Sequence, residues 1–312
     1  MRELALSWDL KEAVEFAKTE EGLKALSELL RDRNPRVRFR ALSVLSMVVD
    51  EATSERKRLL ELFFDPLMLL LESGDEKVCV RVLPILKRLL ERAHLGRSEF
   101  ERLIQSLFSL AEKGDGIIWN EVVEVLKATP ITVMPSGAGS VARNYLNSEN
   151  LRTAVAGAYI IVREGDTLQG ISADFLDVLG RALKSNDPIT VELVLMTING
   201  ILRTPPVYPF DVLLLGLVPH LRWLSVQGSD VTTRYGAKKA LGTVLNKLRE
   251  YYQKNLWDAE RGIKYLAEGG IKDDTLLIAS LVGDPSILLS GEEGPNFGDV
   301  LGENEGMGGR EL

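Results

Sequence analysis

Asn34-Pro35-Arg36-Val37-Arg38-Phe39-Arg40-Ala41-Leu42 opens a stretch whose apolar positions continue through Val44, Leu45 and Val48. That is the three-and-four spacing of a helix with one buried face. The pattern returns at Asp75-Glu76-Lys77-Val78, with Val82, Leu83, Ile85 and Leu86 in the same places. It returns again at Asp115, with Ile118, Val122, Val125 and Leu126. Ser148 opens a fourth such helix, with Val155, Ala158 and Tyr159, and Asn186-Asp187-Pro188 a fifth, with Ile189, Leu193 and Met196. Asp230-Val231-Thr232-Thr233-Arg234 opens a sixth, which runs through Ala237, Ala240 and Leu241.

These starts, at 34, 75, 115, 148, 186 and 230, are spaced by 41, 40, 33, 38 and 44 residues. A period of about 39 residues accommodates two helices and two turns. Between the starts lie partner helices at 20–31, 56–72, 97–113, 140–146, 171–184 and 210–226, each with its own apolar stripe. Gly74, Gly114 and Gly228 precede capping Asp or Ser-Asp positions, so a left-handed glycine stop followed by a carboxylate N-cap is expected at these turns. No segment shows the strict alternation of a strand.

Composition agrees with this reading. The chain has 312 residues, 45% hydrophobic and 27% charged, with only 6% aromatics, which describes a folding chain and excludes disorder over its whole length. A single cysteine, Cys79, excludes an internal disulfide, and with the distant His94 and His220 it cannot form a zinc cluster. The longest apolar run, Val212 to Val218, is far too short to span a bilayer, and the start lacks the form of a signal peptide, so a cytoplasmic protein is expected. From Asp284 onward seven carboxylates face Arg310 alone, a net of −6 out of a whole-chain −7. With its glycines this acidic end reads as a disordered tail, either solubilising or, through Ile287-Leu288-Leu289 and Phe297 with Val300-Leu301, a docking motif.

The arrangement Asn34-Pro35-x-Val37-Arg38-x-x-Ala41, echoed by Asp230-x-x-Thr233-Arg234-x-x-Ala237, resembles the second-helix signature of HEAT repeats over about residues 20–250. The resemblance implies an all-α fold, a right-handed α-solenoid of about six helix pairs with helical caps, in the HEAT and armadillo-like superfamily. The expected organisation is a solenoid over 1–283 and the tail over 284–312. Within the solenoid, 1–19 would be an N-terminal cap, 20–250 the repeats and 251–283 C-terminal cap helices. Cys79 and Trp119 stand where the repeat arginine usually falls, so the Asp–Arg ladder that links many HEAT repeats is expected to be incomplete here.

Catalytic constellations fare poorly. Gly137-Ala138-Gly139-Ser140 lacks the Lys-Ser/Thr of a phosphate-binding loop and follows no strand. Cys79, His94 and His220 fall on different repeats, which leaves no nucleophile beside a base. HEAT-like hydroxylases hold iron with His-Glu pairs, and this sequence has no His-Glu dipeptide. The expectation is a non-catalytic scaffold without cofactor, metal or small-molecule substrate.

The surface left after subtracting the core points to partners. The resemblance places the second helices on the concave face. With Val37, Ala41 and Leu45 inward, Arg36, Arg40, Ser43 and Met47 follow the open side, matched in the next repeat by Lys77, Arg81, Pro84 and Arg88. Glu121 and Glu124 change the sign in the third repeat, and Ala154, Gly157, Ile161, Glu192, Leu195 and Asn199 continue the face. Arg36, Arg40, Lys77, Arg81, Arg88, Glu121 and Glu124 are therefore the candidate binding residues for a protein or peptide partner. The alternative is nucleic acid on the basic patch, although residues 1–100 balance 18 basic against 18 acidic side chains. The acidic tail is expected to compete weakly for the same patch.

Overall fold

The computed structural model describes residues 10–52, 54–91, 95–129, 138–164, 173–203 and 210–255. Among these residues there are thirteen helices and no strand. The chain divides into two compact units, residues 1–167 and 168–312. His94, the expected C-terminal cap helices beyond residue 255 and the acidic tail lie outside the described residues.

The first unit runs α1 (Leu10–Ala17), α2 (Glu20–Leu29), α3 (Pro35–Glu51), α4 (Arg56–Glu72), α5 (Glu76–Leu90), α6 (Arg97–Lys113), α7 (Gly116–Ala128), α8 (Ala138–Arg143) and α9 (Leu151–Glu164). First helices α2, α4, α6 and α8 pack side by side in one layer, second helices α3, α5, α7 and α9 in the other, and α1 packs on α2 and α3. The second unit repeats the scheme with α10 (Ala173–Leu183), α11 (Pro188–Ile201), α12 (Phe210–Gln227) and α13 (Val231–Tyr252). There α10 lies on α12 and α11 on α13.

The starts of the second helices follow from local chemistry. Asn34, Asp75, Asp115, Asp187 and Asp230 each accept from a backbone N–H two or three residues on, at 2.8–3.1 Å, which satisfies donors that the helix itself leaves open. The fourth start differs from expectation. Asn150, not Ser148, is the cap, accepting from Arg152 N–H at 3.0 Å, while Ser148 Oγ accepts from Asn150 N–H. The short helix before it spans Ala138–Arg143 rather than 140–146. Its small size lets Gly157 of α9 approach so closely that an added Cβ would stand 2.9 Å from the Ala142 carbonyl oxygen.

The glycine stops also need correction. Only Gly74 is left-handed, with φ +68°. Gly114 and Gly228 have ordinary φ and are needed for room instead. A Cβ on Gly114 would fall 2.6 Å from Ile118 Cγ2, and one on Gly228 would fall 2.7 Å from the Leu224 carbonyl oxygen. These two turns pack their own following helix against the preceding carbonyls, so any side chain would collide.

The core residues expected from periodicity are inside: Ala41, Val78, Val122, Leu193 and Ala237 are all buried. Each sits between the two layers, where removal of apolar area from water supplies the driving force. Arginines tie the turns. Arg38 donates to the Asp32 and Arg33 carbonyls at 2.9 and 3.2 Å, and Arg234 to the Gly228 carbonyl at 2.7 Å. Where the third repeat has Trp119 in place of this arginine, Arg152 of the next repeat donates to the Gly114 carbonyl at 3.0 Å and stands over the Trp119 ring. In the second repeat, buried Cys79 takes the position and offers only a weak contact to the Leu71 carbonyl oxygen, 3.7 Å away. Burial, chiefly, raises its thiol pKa to about 11, so it is an inert core residue.

Candidate partner-binding face

The outer face of the second-helix layer in the first unit is built by α3, α5 and α7. Their inner positions face α2, α4 and α6, which leaves Arg36, Met47, Lys77 and Arg81 exposed and Arg40, Ser43, Pro84, Arg88, Glu121 and Glu124 part-buried. The face therefore has the helical phase that the sequence implies, but its charges are not equally available.

Arg88 is committed inside the fold. It pairs with Asp50, donates to Ser46 Oγ at 2.9 Å and donates to the Pro84 carbonyl at 3.0 Å, which ties α5 to the C-terminal half of α3. Glu124 is committed as well, accepting from Lys87 at 2.6 Å and Lys127 at 2.9 Å. The Lys87 bond is the main reason its carboxyl is held below the ordinary range. Glu121 goes the other way, since burial pushes its carboxyl up while Lys87 opposes the shift and Glu124 adds to it. Of the four other positive charges, Arg40 has an interaction of its own, whereas Arg36, Lys77 and Arg81 make no ion pair among the described residues.

Beyond Lys77 and Arg81 the face contains a groove of about 530 Å³ between the N-terminal ends of α3, α5 and α7. Phe39, Val80, Ile117 and Ile118 line it with apolar surface, Lys77 and Arg81 supply positive charge, and Glu76 and Asp115 supply negative charge. Ile117 is 62% exposed and Val80 36%. The Arg81 guanidinium stands 5.2 Å from the Phe39 ring centre and its Nη1 lies 3.4 Å from Ser43 Oγ, so the cation is held over the groove. Pro84 removes the amide that would bond the Val80 carbonyl in a regular helix, so that acceptor also loses its usual partner. Sequence reasoning gave Phe39, Val80 and Ile117 no role, because it looked for binding residues among the charged side chains of the open face. The available signal was that Val80 and Ile117 fall off the buried stripe of their helices.

Further along, the expected open face fails. Ala154 and Ile161 are buried, and so is Leu195, whereas Glu192 and Asn199 are exposed. Residues 153–162 of α9 are buried on every side, because α6, α7 and α8 all pack on it. Leu195 turns toward α13, its Cδ1 standing 3.2 Å from where a Cβ on Gly236 would be.

Among the described residues there is no cluster of three or more His, Cys, Asp and Glu side chains able to hold a metal. His220 is wedged against Gly180, and burial is the main reason its imidazole is held below its ordinary pKa. No described helix is long and apolar enough to cross a membrane.

The same layered helix pairs occur in solved structures. An archaeal HEAT-like repeat protein from Thermococcus onnurineus NA1 is 25% identical and superposes with a TM-score of 0.65, over 79% of this chain and 96% of the other. The chain is a HEAT/armadillo-like α-solenoid. A designed armadillo repeat protein in complex with the peptide (KR)4 is a more distant likeness to the solenoid, at 17% identity and a TM-score of 0.48 over 72% of this chain and all of that one. No protein-family model matches the sequence. Neither does any curated protein.

Proposed function

We propose that the protein is a non-catalytic interaction scaffold that receives a segment of a partner protein across α3, α5 and α7. The observation that carries this reading is the groove itself. It combines exposed Val80 and Ile117 with Lys77 and Arg81, which make no ion pair among the described residues. Contiguous exposed apolar surface rimmed by polar residues marks interaction sites and ligand-binding grooves. An extended segment with one large apolar side chain between carboxylates fits such a site. The apolar group would cover Val80 and Ile117, and the carboxylates would meet Lys77, Arg81 and Arg36. Arg88 and Glu124 flank this track and tie α5 to α3 and α7, and Arg40 and Glu121 lie part-buried beside it.

The test is fluorescence anisotropy with three labelled probes: a dodecapeptide with Phe flanked by Glu, the same peptide with Lys for Glu, and a random DNA duplex. The acidic peptide should bind the wild-type chain, and Arg81→Glu or Ile117→Ser should weaken it about tenfold. Equal binding of the acidic and basic peptides, or no effect of either substitution, overturns the reading. Duplex binding with a steep salt dependence, abolished by the same substitutions, would replace it with nucleic-acid recognition.

A further inference from the structure

The second unit carries a surface of different composition. Trp223 and Val226 stand at the end of α12, Val231 and Tyr235 at the start of α13, and the three-residue turn 228–230 joins them. All four are exposed, Val226, Val231 and Tyr235 by about two thirds or more. The corner is held firmly, because Asp230 caps α13 and Arg234 donates to the Gly228 carbonyl. An aromatic and aliphatic cluster on a rigid corner is a docking surface rather than a frayed end.

Beyond the capping Asp230, the charge along α13 is mostly positive. Along α13 stand Arg234, Lys238, Lys239, Lys247 and Arg249 against Glu250 alone. Lys238 and Lys239, one turn on from Tyr235, are exposed and make no ion pair among the described residues. The surface thus asks for a ligand that is acidic and carries apolar side chains.

This chain contains such a segment beyond the described residues. Residues 292–305 read Glu-Glu-Gly-Pro-Asn-Phe-Gly-Asp-Val-Leu-Gly-Glu-Asn-Glu, with five carboxylates, no basic residue and Phe297, Val300 and Leu301 between them. Thirty-six residues separate Asn255, just past the end of α13, from Glu292. At full extension they reach up to about 120 Å, against roughly 33 Å for α13 itself, so the connection permits contact anywhere on that helix. Tethering supplies an effective concentration that an exposed, modest site can use.

We infer that the corner formed by Trp223, Val226, Val231 and Tyr235, with Lys238 and Lys239, is the docking site for the chain's own acidic segment 292–305. Docking covers the exposed apolar cluster and neutralises the positive face, so a partner that takes this surface must displace the segment.

The experiment uses the intact chain. A water-soluble carbodiimide joins carboxylates to lysine amines in contact, and mass spectrometry maps the links. The expected result is that Glu292–Glu305 carboxylates link to Lys238 and Lys239 in preference to exposed Lys24, Lys57 and Lys77, with a yield independent of protein concentration and suppressed by salt. Val231→Thr with Tyr235→Thr leaves every charge in place and should lower that yield about tenfold, because the apolar anchor is gone. An unchanged helical circular dichroism spectrum confirms that these exposed substitutions preserve the fold. An unchanged yield in the double variant would mean mere proximity and overturn the proposal. Links to Lys77 instead, links spread evenly over the lysines, or links that grow with protein concentration would overturn it too.

Discussion

Lys87 Nζ lies 2.6 Å from Glu124 Oε2 and bridges α5 to α7, while Glu121, one turn earlier on α7, is part-buried beside the same lysine. Two carboxylates on one helix are thereby pushed in opposite directions. Glu124 titrates below its unfolded value, so the stability it contributes is present above the ordinary carboxylate range and is lost as pH falls through its lowered pKa. Glu121 titrates above its unfolded value, so its ionised form costs stability at neutral pH, and that cost disappears as pH falls through its raised pKa. Glu124→Gln should therefore lower the melting temperature at neutral pH and flatten its fall in acid, whereas Glu121→Gln should raise it. Thermal melts of both variants from neutral pH to mild acid test the opposed signs, and shifts of the same sign would contradict the assignment.

Gly114 and Gly74 occupy equivalent turns for different reasons, so asparagine, set against alanine, should separate them. A Cβ on Gly114 meets Ile118 Cγ2 at 2.6 Å and the Leu110 carbonyl oxygen at 2.7 Å, so Gly114→Ala should cost about 1–3 kcal/mol through overpacking. Gly74 has φ +68° and open space around it, so Gly74→Ala should cost only about 1–2 kcal/mol of backbone strain. Asparagine should relieve the strain at position 74 and worsen the collision at 114. Urea unfolding of the four variants gives the comparison.

Val78 is 2% exposed, in the apolar layer between α4 and α5. Val78→Asp places a carboxylate there without a partner and should cost about 3 kcal/mol or more. An unchanged melting temperature would show that the helix is rotated from the phase described.

Arg163 of α9 donates to the Leu126 and Lys127 carbonyls at 2.8 and 3.1 Å and to Tyr159 Oη at 3.0 Å. It closes the C-terminal end of α7 from the following repeat, where orphan carbonyls and the helix dipole favour a cation. Arg163→Met keeps the aliphatic bulk and strands those acceptors, so a loss of about 1–3 kcal/mol is expected. Amide exchange should rise in the last turn of α7 before it rises elsewhere.

Arg36, Arg40, Lys77, Arg81 and Arg88 are alike on a helical wheel, yet only some can meet a partner. Their helix and their outward phase were legible, because i, i+4 spacing from Val37, Ala41 and Leu45 fixes them. That Arg88 is held by Asp50 was not legible, since a pair 38 residues apart depends on how α5 lies against α3. The groove was hidden for the same reason: its lining comes from three helices whose spacing the sequence does not give.

The sequence by itself determined most of the helices, five of the six caps of the second helices and the two-layer pairing, because these follow from local hydrogen bonding and from the period of apolar side chains. Asp75, Asp115 and Asp230 begin helices whatever surrounds them, and Val78 and Val122 point inward once the helices exist. Tertiary structure alone decided which glycines serve conformation and which serve space. It also decided that Ala154, Ile161 and Leu195 are buried rather than open, and which charges of the binding face are cancelled by neighbouring repeats. Those outcomes depend on distances between helices far apart in sequence, and one sequence period carries no information about the side chain that arrives from the next repeat.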